Sequence, residues 1–217
     1  MTMQLYGFWR SNAAFRVRVA LALKAIPFEE IDIDLIAGEQ FKPAYAVINP
    51  EHMVPALVHD GHRLSQSLAI IEYLDDIQPH PPLLPTDARE RAYARSLAMI
   101  LAADSHPLVA TRVRKYLADV VQANTDAIDA WGRRWATEGL AAYERFLEQR
   151  PAAPFALGEA ITIADICIAG QVALADVYGA DWSVFPEVSD LAQRCLALPA
   201  FANAHPFAQP GYRAAGT

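Results

Sequence analysis

An α/β domain followed by an all-helical domain is the fold class that the sequence predicts, from three observations. Short strand and helix patterns alternate through residues 1–79 and include an Asp60-Gly61 turn between two short apolar runs. A proline-rich stretch, Pro79 to Pro85, then interrupts every periodic pattern. From Asp87 onward the chain is alanine-rich and helical, with no further strand pattern. The predicted organisation is a first domain over 1–79, a linker over 80–86, and a helical domain over 87–217.

In order, Gln4 to Gly7 reads as a short strand and Trp9, Arg10 and Ser11 as a loop. A helix follows from Asn12 to Lys24, and Ile26-Pro27 lies beyond its end, because a residue before proline disfavours the helical region. Phe28 to Ile33 alternates apolar and acidic residues, as a half-exposed strand does. Val54-Pro55 leads into a strand over Ala56 to His59; Asp60-Gly61 tolerates the positive φ of a tight turn; His62 to Ser65 returns as a second strand. Leu68, Ile70, Ile71 and Leu74 then form one apolar helical face. This β-α-β, link, β-β-α order is that of a thioredoxin-like domain. In the second domain, helices are predicted over 87–121, 125–149, 162–179 and 187–197. Thr162 and Asp165 have capping-box spacing, with Ile161 and Ile166 as its hydrophobic staple.

The chain has 217 residues, 53% of them hydrophobic and 20% charged, so a large buried core is available and disorder is excluded. A net charge of −7 argues against a nucleic-acid binder, which needs a broad basic face. No apolar run reaches membrane-spanning length, and the N-terminus lacks the basic and apolar segments of a secretory signal, so no membrane partner is expected. Cys167 and Cys195 form no CxxC pair and suit a reducing, cytoplasmic location. His52, His59 and His62 are close in sequence, but no cysteine accompanies them and a hairpin would scatter their directions; no metal site is expected.

Two helix starts carry the chemistry. Unpaired N–H groups and the positive end of the helix dipole make such a start suited to anions. Ser65, Gln66 and Ser67 stand at one, where Ser67 can hold a carboxylate, although a serine there also suits an N-cap. Ser11 and Asn12 stand at the other. There a thiol would be shifted toward thiolate, with Ser11 donating to its sulfur; Ser11 and Asn12 are equally good cap residues. A cis peptide at Val54–Pro55 would turn the Val54 backbone outward to pair with an extended peptide; a trans proline opening a strand is the alternative. Arg10, Arg16 and Arg18 precede every acidic residue, and Arg112, Arg114 and Lys115 follow His106-Pro107. Arginines on both domains suit a small dicarboxylate, or else solvated faces and ion pairs.

The stretch Val54-Pro55 with Gln66-Ser67-Leu68-Ala69-Ile70-Ile71-Glu72-Tyr73-Leu74 resembles the cytosolic glutathione transferases, and its wording is close to their zeta class, which includes maleylacetoacetate and maleylpyruvate isomerases. The resemblance covers about residues 3 to 210. It implies glutathione as cofactor, a cis Pro55 with Val54 binding the cysteinyl backbone, Gln66 and Ser67 holding the γ-glutamyl carboxylate, and Gln40 touching glutathione. Ser11 matches the serine that contacts the glutathione sulfur. Asn12 and Ala13 stand where the class has its second serine and a cysteine, before Arg16-Val17-Arg18. Arg10, His106 and Arg112 match residues that bind the second substrate in maleylpyruvate isomerases. The arginine of their later helix falls near Val177, where this chain has no basic residue. The implied activity is addition of glutathione thiolate to a small electrophile, in particular cis-trans isomerisation of a maleyl dicarboxylate. A glutathione-binding protein with little turnover is the other reading. A homodimer, pairing the helical domain of one chain with the first domain of the other, is expected from the resemblance.

Overall fold

The computed structural model describes residues 3–212. The elements are β1 (Met3–Gly7), α1 (Asn12–Leu23), β2 (Phe28–Asp32), a 3-10 turn at Glu39–Phe41, α2 (Pro43–Ala46), β3 (Ala56–His59), β4 (His62–Ser65), α3 (Ser67–Ile77), α4 (Ala88–Met99), α5 (Thr111–Asp119), α6 (Thr125–Leu147), α7 (Ile163–Val177), α8 (Pro186–Leu196) and α9 (Pro199–Ala202). They divide into two compact units, one of residues 1–83 with 199–217 and one of residues 84–198.

In the first unit the strands run in the order β2-β1-β3-β4. β1 pairs parallel with β2 and antiparallel with β3, with Leu5 opposite Leu57, and β3 pairs antiparallel with β4. Asp60 and Gly61 both have positive φ, 50° and 81°, as a hairpin of matched twist requires. α1 and α3 pack together. Val17, Leu21, Leu57, Ile70, Ile71 and Leu74 are fully buried, so three of the four residues of the predicted α3 stripe are core. Leu68 is half-buried. Buried Lys24 ties α1 to α3 and to the proline-rich segment, donating to Asp75, to the Gln78 carbonyl and, at 2.6 Å, to the Pro81 carbonyl. The first part of the expected linker, through Leu83, therefore belongs to this unit.

The last segment also departs from expectation. Residues from Pro199 group with the first unit rather than with the helices before them. α9 packs on α1, Phe201 is fully buried, and Tyr212 meets the Trp9 ring at 5.7 Å between centroids. Burial of these aromatic side chains draws the chain end back to β1 and α1.

The second unit is built on α7, which is predominantly apolar and buried from Ile163 to Ala175, with Asp165 and Gln171 as its buried polar residues. α4, α6 and α8 pack against it. Its start is the expected capping box: Thr162 accepts from the Ala164 N–H, and Asp165 accepts from both the N–H and the hydroxyl of Thr162. The continuous helix expected over 87–121 is broken. α4 ends at Met99, a π-helical turn spans Ile100–Ser105, a 3-10 turn spans His106–Val109, and α5 starts at Thr111. Pro107 is the physical reason, because it has no N–H to donate and its ring clashes with the preceding turn.

Candidate active site

The start of α1 is built by the turn that leaves β1. The Ser11 N–H donates to the Phe8 carbonyl at 2.9 Å, and Ser11 then takes an extended conformation as N-cap. Its Oγ accepts from the Ala14 N–H at 3.1 Å. This bond uses an oxygen lone pair and leaves the hydroxyl proton available to a bound group. Capping and sulfur binding are thus compatible roles. Asn12 is 3% exposed, and neither atom of its side-chain amide has a hydrogen-bond partner.

The second wall is the approach to β3. The Met53 carbonyl accepts from the Tyr45 hydroxyl at 2.5 Å and from Asn49 Nδ2 at 2.8 Å, which fixes the backbone before Val54. Burial pushes the Tyr45 hydroxyl up to about 12, so it remains a donor at neutral pH. The Val54–Pro55 peptide is cis. The Val54 side chain packs with Phe8, Ile33 and Tyr45, and Trp9 covers the same cluster, so the start of α1 and the cis peptide share one apolar support. Gln40 is buried; its carbonyl meets His52 Nδ1 at 2.8 Å, while its side-chain Oε1 has no partner.

The third wall is the start of α3. Neither Ser65 nor Ser67 caps it. The cap position is Gln66, with a positive φ of 69°, a ψ of 110° and no capping side-chain bond. Ser67 Oγ instead accepts from Arg16 Nη1 at 2.9 Å, and the guanidinium is buried with Arg16 only 2% exposed. A buried cation and the α3 amide groups together make this corner attractive to a carboxylate. Gln66 Nε2 donates to both carboxylate oxygens of Glu51, each at 3.0 Å. Arg18, of the same basic run, is used elsewhere: it pairs with Glu30 and donates to the Phe8 carbonyl at 3.1 Å. The Arg10 guanidinium lies 5.8 Å from the centre of the Trp9 ring.

His106 and Arg112 belong to the helical unit. His106 opens the 3-10 turn and Arg112 lies in the first turn of α5, so no helical spacing relates them. The break that presents them is held by a buried polar network. Ser105 Oγ donates to the Trp135 carbonyl at 2.6 Å and accepts from Gln171 Nε2 at 2.8 Å; Gln171 also donates to the Ala136 carbonyl. Trp131 Nε1 donates to the Leu108 carbonyl and the Tyr178 hydroxyl to that of Val109. Near Val177, where an arginine was expected by resemblance, the ring of Tyr178 carries the Arg114 guanidinium at 5.2 Å, and Arg114 pairs with Asp129.

Among the described residues, no group of three His, Cys, Asp or Glu is placed to hold a metal. His59 bonds Tyr73 and His52 bonds the Gln40 backbone, so each has a local structural partner. Sequence reasoning missed the supports of Met53 and the bond between Arg16 and Ser67. A tyrosine or arginine in an apolar helix was their only sequence signal, and it names no partner. The first unit thus carries the Ser11 hydroxyl at the start of α1 and Ser67 backed by a guanidinium at the start of α3, while the buried Oε1 of Gln40 has no hydrogen-bond partner.

Residues 1–76 match the family model described as Glutathione S-transferase, N-terminal domain. The chain is 39% identical over 209 residues to a maleylpyruvate isomerase of a Ralstonia species, covering 96% of this chain and 99% of the relative. The structure of a maleylpyruvate isomerase, described as a bacterial glutathione S-transferase of the zeta class, matches with TM-score 0.93 and 38% identity over 97% of this chain and 100% of its own. The maleylacetoacetate isomerase of Methylobacterium extorquens AM1, solved with bound malonate and glutathione, matches with TM-score 0.94 and 42% identity over 97% and 100%.

Proposed function

The chain belongs to the glutathione S-transferase family, in its zeta class, and from this premise we propose that it is a glutathione-dependent cis-trans isomerase of a maleyl dicarboxylate such as maleylpyruvate or maleylacetoacetate. Bound glutathione supplies a thiolate that adds reversibly to the activated cis double bond and leaves again after rotation about the carbon–carbon bond.

The observation that carries the reading is Ser11. Its oxygen is oriented by the Ala14 N–H, which leaves its proton to donate to sulfur at the positive end of α1. That donor favours thiolate over thiol, and a thiol near 8.5 in water must be lowered to be largely ionised at neutral pH. Asn12, with both amide atoms unpartnered, is the second donor at this helix start. Val54 pairs its backbone with the cysteinyl residue, Gln40 binds the peptide, and Gln66 and Ser67 hold the γ-glutamyl carboxylate. Arg10, His106 and Arg112 bind the anionic substrate, whose carboxylates suit guanidinium groups. Ala13 stands where the class has a cysteine, so Ser11 and Asn12 carry the sulfur chemistry.

No helix of the described residues is long and apolar enough to cross a membrane. A cytoplasmic homodimer is part of the proposal. Cys167 and Cys195, both buried and in no disulfide, support the location, and a dimer mass by light scattering tests the assembly.

Turnover of maleylpyruvate and maleylacetoacetate, followed by the enedione absorbance with and without glutathione, tests the function. Glutathione-dependent isomerisation is expected. Glutathione binding without turnover of either compound would favour a binding protein; no glutathione binding would remove the reading.

A further inference from the structure

Trp9 is gripped by two parts of the first unit that are far apart in sequence. It packs on the cluster of Phe8, Ile33, Tyr45 and Val54. The returning chain end packs on it as well. The Tyr212 ring lies 5.7 Å from the Trp9 ring between centroids, tilted at 54°. Gly211 comes closer still: a Cβ there would stand 2.6 Å from Trp9 Cδ1, so only glycine lets the backbone approach the indole this way. The chain end is braced in its own right. The Tyr212 N–H donates to the Gln209 carbonyl at 3.0 Å, and Gln209 Nε2 donates to the carbonyls of Asn203 and His205 at 2.7 and 3.2 Å. The Phe207 ring meets that of Tyr212 at 4.8 Å.

Ser11 does not depend on this grip. Its N–H donates to the Phe8 carbonyl, the same carbonyl accepts from buried Arg18 at 3.1 Å, and Phe8 itself is core. Arg10 is held differently. Its guanidinium rests 5.8 Å from the centre of the Trp9 ring, and both residues are only half-buried. Trp9 is thus the platform of Arg10, and the chain end clamps the platform. We propose that Gly211 and Tyr212 are positioning residues for Arg10: the strap they form sets the affinity for the dicarboxylate and leaves the thiolate site alone. The proposal rests on the isomerase reading above, in which Arg10 binds the anionic substrate. A guanidinium meets a carboxylate through a planar fork of fixed direction, so a shift of its platform weakens binding where a mobile point charge would adapt.

Steady-state kinetics with maleylpyruvate and maleylacetoacetate, and calorimetry with glutathione, on the wild type, Tyr212→Ala, Tyr212→Phe and Gly211→Ala test this. KM for the dicarboxylate should rise about three- to tenfold in Tyr212→Ala, the factor that one aromatic pair contributes. Gly211→Ala should raise it in the same direction, because the added Cβ must push the strap off the indole. Tyr212→Phe, which keeps the ring, should restore the wild-type KM. Glutathione affinity, kcat and the thiolate absorbance of bound glutathione should stay put. In an Arg10→Ala background, Tyr212→Ala should add nothing further to KM. An unchanged KM in Tyr212→Ala, its full effect persisting without Arg10, or an equal loss of glutathione affinity would each overturn the proposal and leave the isomerase reading intact. Absence of turnover of either dicarboxylate by the wild type would overturn both.

Discussion

Arg16 donates to Ser67 across 51 positions of sequence, at 2.9 Å, with the guanidinium buried between α1 and α3. This bond makes Ser67 something other than a helix cap. Its oxygen is held from below, while its hydroxyl proton and the amide groups of the first turn of α3 are left for a ligand.

Replacing the guanidinium should therefore weaken glutathione binding without touching the sulfur site. Arg16→Met removes the donor and the charge, and about tenfold loss of affinity by calorimetry is expected from a charged hydrogen bond of this kind. Arg16→Lys keeps a charge but not the planar fork, and should fall between the two. Unchanged affinity in a folded Arg16→Met protein would exclude Arg16 from the site.

Ser11→Ala separates the two uses of one hydroxyl. Loss of the cap should cost about 1 kcal/mol in denaturant unfolding. The pKa of bound glutathione, read from thiolate absorbance in the ultraviolet, should rise by about one unit, with affinity for the peptide largely kept. A drop in stability with no change in the thiolate titration would leave Ser11 as a cap alone.

Gln171→Leu tests the helix break. It strips Ser105 Oγ and the Ala136 carbonyl of a donor in a buried setting. Destabilisation of about 2 kcal/mol is expected. Because the 3-10 turn with His106 begins at the next residue after Ser105, KM for the dicarboxylate should rise while glutathione affinity stays put. Equal effects on both would point to general loosening.

Asp165 links stability to pH. Burial raises its carboxyl from the ordinary 3.8 to about 6, against the lowering effect of bonds from Ala156 and Thr162. The native state then holds a proton that the unfolded chain has lost, so stability from this group is full below about pH 4 and falls as pH rises to about 6. Two units correspond to roughly 2–3 kcal/mol. The stability of the wild type relative to Asp165→Asn, measured by urea unfolding from pH 4 to 7 at one protein concentration, should decline by that order through this window. A difference independent of pH would show that Asp165 is ionised throughout.

Much of the fold was legible in the sequence because its rules are local. The Asp60-Gly61 turn, the α3 stripe and the Thr162–Asp165 box each depend on residues within a few positions, and each forms as written. The zeta-class wording of residues 54–74 likewise placed the chain in its family. Pro107 was also visible, yet the helical periodicity around it concealed the break; the supports from Trp131, Gln171 and Tyr178 lie on α6, α7 and the end of α7, beyond any local window.

The site divides along the same line. The sequence by itself determined which side chains stand at the starts of α1 and α3, since a helix start follows from nearby residues. Tertiary structure alone decided that Ser67 is backed by Arg16 and that Glu51 faces Gln66. Those partners are brought together by burial of the apolar faces of the sheet, α1 and α3, and hydrogen-bond partners chosen by packing have no fixed separation along the chain.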